Sequence, residues 1–253
     1  MGFLIASSIS GLLMIIAVLA VKRIAAKKLG LTGKIFWKAG LTYLLFLFFS
    51  FSVLDGLMSY WPEYENASLV MQAVVAGLGA GVILELGRFI VLDKLFKKVR
   101  TFNDAINFGI GWSGLATLLL GFILIAGSIS TYWIYNTPDL SVIAPDAGPE
   151  QIEQLEKYKE LAETAYNESW LNGLNPLVER ASILFLDVFL TMFIVLGIKF
   201  GRNYFTWGAV LIHSAVIFVL AVASSYGPFL IIPLWILFGI LFGVYAKKLK
   251  VVF

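Results

Sequence analysis

Residues Leu69 to Leu92 read LVMQAVVAGLGAGVILELGRFIVL, with Glu85 and Arg88 as the only charges in twenty-four residues. A stretch this long and apolar crosses a bilayer as a helix, because about 20 residues span the hydrocarbon and only a helix satisfies its own backbone there. Six further stretches qualify: Phe3 to Val21, Ala39 to Met58, Ala105 to Tyr132, Ala181 to Lys199, Trp207 to Ala223 and Phe229 to Ala246. The composition agrees, since 60% of the 253 residues are hydrophobic and 14% charged, against roughly 25% charged in an ordinary soluble domain. The fold class is therefore all-α: a polytopic membrane protein built as a seven-transmembrane-helix bundle, with residues 1–253 forming one transmembrane unit. The lipid bilayer is its first partner. Disorder and nucleic-acid binding both need far more exposed charge. The chain has no cysteine, which excludes disulfides, thiolate metal sites and a cysteine nucleophile.

The charges give an orientation. Fifteen of the nineteen basic residues fall in connections on one side of the membrane or in the C-terminal segment, whereas Lys157, Lys159 and Arg180 lie opposite. Eleven of the sixteen acids, from Glu63 to Glu179, lie on that opposite side. The positive-inside rule then puts the N-terminus outside and the C-terminus in the cytoplasm, with the plasma membrane as the expected location. The basic cluster Lys22, Arg23, Lys27, Lys28 follows the first apolar run, so that run reads as a retained helix; in a signal peptide the basic residues come first. The outer connection, 133–180, is too long for an idle loop. Pro149 and Glu150 open a stretch in which Ile152, Leu155, Tyr158, Ala162 and Tyr166 recur at helical spacing between glutamates. This predicts an amphipathic surface helix, acting as a solvated cap or as a docking site.

An ionisable side chain deep in a span costs about 2.5–3.5 kcal/mol on insertion scales, so each one calls for a partner or a function. Gly77, Gly81 and Glu85 are four residues apart, so the face that lets another helix approach closely also carries the carboxylate;. Arg88, three residues on, can pair with Glu85 on that face. The fourth span opens with Asn107, Gly109, Gly111 and Gly114, and sets Trp112 near the depth of Glu85. The fifth span carries Asp187 and the sixth His213, the chain's single histidine. Glu, Asp and His on three helices match a hard or borderline metal site if they converge. Asp187 is expected nearer the outer face than the other two. Asp55, at the outer end of the second span, reads as an interfacial acid.

These residues resemble the YhfC family of intramembrane metalloproteases, a family similar to the CAAX prenyl proteases, the PrsW-type proteases and the Aph subunit of gamma-secretase. A Glu-Glu-x-Gly-Arg motif in the third span corresponds to Leu84, Glu85, Leu86, Gly87 and Arg88, with Leu84 replacing one Glu. A Gly-x-Gly-His-Gly-Gly-x-Glu stretch corresponds to Gly109 through Ala116, with Trp112 in place of the His and Ala116 in place of the Glu. Glu-Arg followed by a His seven residues after the Arg corresponds to Glu179, Arg180 and Asp187, and the His of the sixth span to His213. The acid or Asn four residues later is Ile217.

The resemblance implies the seven-helix architecture and, for an active member, a zinc ion held by Glu85, Asp187 and His213 with Arg88 orienting the carboxylate. Hydrolysis also needs a carboxylate to take the proton of the metal-bound water, and none remains beside Glu85. Three functions follow from this. The first is a catalytically degenerate pseudoenzyme that binds or assembles with another membrane protein. The second is an active zinc-dependent intramembrane protease cutting a transmembrane substrate. The third is a small-solute or ion transporter whose pathway Glu85, Arg88, Asp187 and His213 line.

Overall fold

The computed structural model describes residues 1–137, 148–249 and 252. Among them, eight α-helices follow one another: α1 Gly2–Leu29, α2 Gly33–Ser59, α3 Leu69–Ile90, α4 Phe102–Asn136, α5 Pro149–Asn167, α6 Trp170–Phe200, α7 Tyr204–Ser224 and α8 Pro228–Leu249. No strand occurs among the described residues. All of these helices except α5 are long and apolar enough to cross a bilayer. The protein is an all-α integral membrane protein with seven spans.

Burial sorts the helices into a centre and a rim. The most apolar windows of α4 and α6 are 67% and 61% buried, those of α2 and α8 only 22%. Around this central pair, α1 packs along both α4 and α6, α2 along α4, and α8 along α6, while α3 and α7 pack along each other. The large exposed apolar side chains of α2 and α8, such as Leu45, Phe48 and Ile240, face acyl chains, as a membrane rim requires. The glycines of α4 serve close packing: a Cβ at Gly109 would lie 2.7 Å from the backbone of Val188 on α6, and one at Gly111 would lie 3.0 Å from Phe36 on α2.

The seam between α3 and α7 is equally tight, because a Cβ at Gly77 would stand 2.7 Å from the Ser214 carbonyl oxygen. Backbone on both sides leaves no flexible atom to yield. Gly77→Val is therefore expected to force the two helices apart and to cost about 1–3 kcal/mol, read as a lower unfolding temperature in detergent. Gly56→Ala, where no atom lies within 4 Å of the added Cβ, should leave that temperature unchanged.

Several boundaries differ from the sequence reading. Helix α1 runs on to Leu29 and α2 begins at Gly33, so Lys22, Arg23, Lys27, Lys28, Lys34 and Lys38 sit on helix ends and outside the short connection between them. The fifth span begins at Trp170, eleven residues before Ala181. Ser169 caps it by accepting from the Leu171 N–H at 3.3 Å, and the helix runs through Pro176. Arg180 and Glu179 thus sit inside a helix, paired at 3.4 Å and partly buried, and outside the connecting loop. The third span leaves α geometry after Ile90 and closes in one π turn, Val91–Leu95. There Arg100 donates to the carbonyl of Leu92 within the turn and to those of Phe96 and Val99 beyond it. The fourth span is a 35-residue helix opened by a capping box between Thr101 and Asp104;.

Helix α5 lies over the ends of α1 and α4 at the acidic end of the bundle, opposite the lysine-rich end. Tyr166 stacks on Tyr135 of α4 with ring centroids 3.8 Å apart, Ala162 is buried, and Lys159 donates to the Thr137 carbonyl at 3.2 Å. Ile152 and Tyr158 of the apolar stripe are exposed. Residues 138–147 of the connection before it lie outside the described residues.

Candidate functional site

Four side chains from three helices meet inside the bundle. Glu85 and Arg88 on α3 are completely buried, and Asp187 on α6 and His213 on α7 are buried at 2% and 7% exposure. The helical offset of three residues brings the Arg88 guanidinium 3.3 Å from Glu85 Oε1;. The same nitrogen also donates to Asp187 Oδ1. Its other terminal nitrogen donates to the Asp187 carbonyl oxygen at 3.0 Å and to Thr191 Oγ1 at 3.4 Å. Thr191 in turn donates back to the Asp187 carbonyl at 2.7 Å. On the other side of Glu85, His213 Nδ1 lies 2.6 Å from Oε1.

Helix packing explains why these groups meet. The glycine seam seats α7 against α3 and sets His213 beside Glu85. Asp187 projects from central α6, and the long arginine side chain bridges whatever difference in depth remains between it and Glu85. The sequence placed Asp187 nearer the outer face and left convergence open; Arg88 makes the connection. Asp55, by contrast, is exposed and stands apart from the cluster.

The floor of the site is aromatic. The Arg88 guanidinium carbon lies 5.2 Å from the centre of the Trp112 ring, a favourable cation–π arrangement. Trp112 has no exposed surface, stacks on Phe108 at 5.5 Å and meets the edge of Tyr43 at 5.4 Å. Leu84 and Ala116 belong to the same apolar cluster as Trp112. Ile217, one turn beyond His213, is partly buried and adds no donor. Sequence reasoning missed two polar neighbours. Thr191 follows Asp187 at the helical i+4 spacing that signals a shared face, while the buried Tyr43 phenol, within electrostatic reach of Asp187, Arg180 and Arg88, comes from α2 with no local signature.

A profile of the family described as YhfC intramembrane metalloprotease matches residues 10–238. The chain belongs to this family. No curated protein and no solved structure gives a significant match. The YhfC match covers five spans whole, the first from Ser10 and the last only as far as Phe238, and it contains the four clustered residues.

Membership in a metalloprotease family implies zinc, and the donor set decides whether this chain's residues fit one. A catalytic zinc needs three protein donors at about 2.0–2.2 Å from one point and a fourth position open to water. Among the described residues no three of Asp, Glu and His gather in such an arrangement. A guanidinium, itself a cation, stands between the two carboxylates and engages both. The arrangement does not fit a zinc site. What it provides is a buried ion-pair network in which one arginine ties α3 to α6 and one imidazole ties α3 to α7. Glu85 Oε2 and Asp187 Oδ2 remain without a hydrogen-bond partner inside it.

Proposed function

We propose that this YhfC-family protein is a catalytically degenerate member, a pseudoenzyme that keeps the helical bundle and acts as a binding or assembly subunit for another membrane protein. The observation that carries this reading is the Arg88 guanidinium, bound to both carboxylates over the indole of Trp112. In the family pattern that indole position is a histidine. Replacement of polar groups at Leu84, Trp112 and Ala116 converts much of the former polar centre into packed apolar side chains, which hold helices in place and perform no proton transfer. The lysine-rich distribution supports a cytoplasmic C-terminus and an external N-terminus in a plasma membrane.

Zinc analysis tests the degenerate half of the reading. Protein purified in mild detergent, incubated with zinc and dialysed is expected to retain no stoichiometric metal, and Glu85→Gln or His213→Ala should not alter that result. One zinc per chain that is lost in both variants overturns the proposal. The subunit half is tested by crosslinking in intact membranes before extraction. A single membrane protein recovered at near-equal stoichiometry is expected, and recovery of the monomer alone counts against it.

A further inference from the structure

The lysine-rich end of the bundle contains a cleft unrelated to the buried cluster. It has a volume of about 750 Å³ and opens between the start of α2 and the loop that follows α3. Five lysines surround it: Lys34 and Lys38 from α2, and Lys94, Lys97 and Lys98 from the loop. All five are exposed. Lys94 is paired with Asp93 at 2.7 Å, whereas among the described residues the other four have no ion pair. Beneath the ammonium groups the walls are apolar, formed by Ile35, Leu41, Leu95, Phe96 and Val99.

The cleft is built into the fold. Arg100 fastens three loop carbonyls, and Phe96 packs edge-on against Phe108 of α4 at 5.1 Å. From Leu41 the exposed apolar stripe of α2 continues through Leu45, Phe48 and Phe49 into the depth of the membrane, at the i, i+4, i+7, i+8 spacing of a single helix face. A cationic mouth thus leads directly into a hydrocarbon-facing track.

We propose that this cleft binds an anionic diacyl phospholipid, with its phosphate among Lys34, Lys38, Lys97 and Lys98 and its acyl chains along the Leu41–Phe49 face of α2. Charge complementarity selects an anion. Continuity of the apolar walls with the exposed stripe selects a lipid over a free phosphate, since a soluble anion would leave the track unused. Juxtamembrane lysines of this kind attract anionic headgroups, and basic pockets between helices hold them.

The test is native mass spectrometry of the purified full chain in detergent containing equimolar dioleoylphosphatidylglycerol and dioleoylphosphatidylcholine. The expected result is retention of phosphatidylglycerol in preference to phosphatidylcholine, reduced about tenfold or more when Lys34, Lys38, Lys97 and Lys98 are all changed to Gln. Changing Lys27, Lys28, Lys247 and Lys248 to Gln removes the same charge from the same end outside the cleft, and should leave the preference nearly intact. Equal losses in the two quadruple variants would overturn the site, because general surface charge would then explain the binding. Displacement of the lipid by millimolar glycerol 3-phosphate would overturn the diacyl assignment in favour of a soluble anion. Equal retention of the two lipids by the unaltered protein would overturn the proposal altogether.

Discussion

Arg88→Met is expected to destabilise the bundle by about 3–5 kcal/mol, the usual consequence of removing one partner from a buried ion pair. Loss of the guanidinium leaves Glu85 and Asp187 as two buried carboxylates with no arginine between them, and His213 touches only Glu85. Thermal unfolding in detergent and the monodisperse fraction on size exclusion measure the effect. Arg88→Lys should fall between the two, because a compact ammonium cannot serve the Asp187 carboxylate, the Asp187 carbonyl, Thr191 and Glu85 together;. Adding Glu85→Gln and Asp187→Asn to Arg88→Met should recover most of the lost stability, since the uncompensated charge is then gone. If Arg88→Met alone melts like the unaltered protein, the ion-pair network is not what holds α3 to α6.

Trp112→Ala should be of comparable size, about 3–5 kcal/mol as for other aromatic-to-alanine changes in packed cores. In lipid the loss comes from van der Waals contact and the cavity left behind, because acyl chains are as apolar as the helices themselves. Here the cavity opens beneath Arg88 and between Phe108 and Tyr43, so the arginine loses its aromatic floor together with the packing. Trp112→Phe keeps a ring in the site and should recover about half of the loss. Melting of purified Trp112→Ala at the temperature of the unaltered protein would show that the indole merely fills space that neighbours can close.

Much of this architecture is legible in the sequence because lipid imposes a simple rule: about twenty apolar residues, with the backbone paired internally. The glycine face of the third span could be read together with its carboxylate because both depend on the same helical period. The start of the fifth span was hidden. Asn172, Asn175 and Pro176 lower the apolar character of its first turns, although a Ser cap and helix contacts within the bundle stabilise them all the same. The π turn after Ile90 is braced by an arginine reaching back to a carbonyl eight residues away, a contact with no periodic trace. At the site, the residue types and the shared face of Glu85 and Arg88 were readable, but their meeting with Asp187 and His213 was not. Depth inferred from counting residues ignores the length of a side chain that can bridge the difference.

The spacing of Glu85 and Arg88 has a further consequence for how the chain is made. Helix α3 leaves the ribosome well before its later partners: Asp187 follows Arg88 by 99 residues and His213 follows Glu85 by 128. At about 5–20 residues per second, the nascent segment waits for seconds in or beside the translocon with neither of them available. Because the acid and the base are three residues apart, each neutralises the other within one segment during that interval. The pair thus acts as its own temporary chaperone, released to its final partners once translation supplies them.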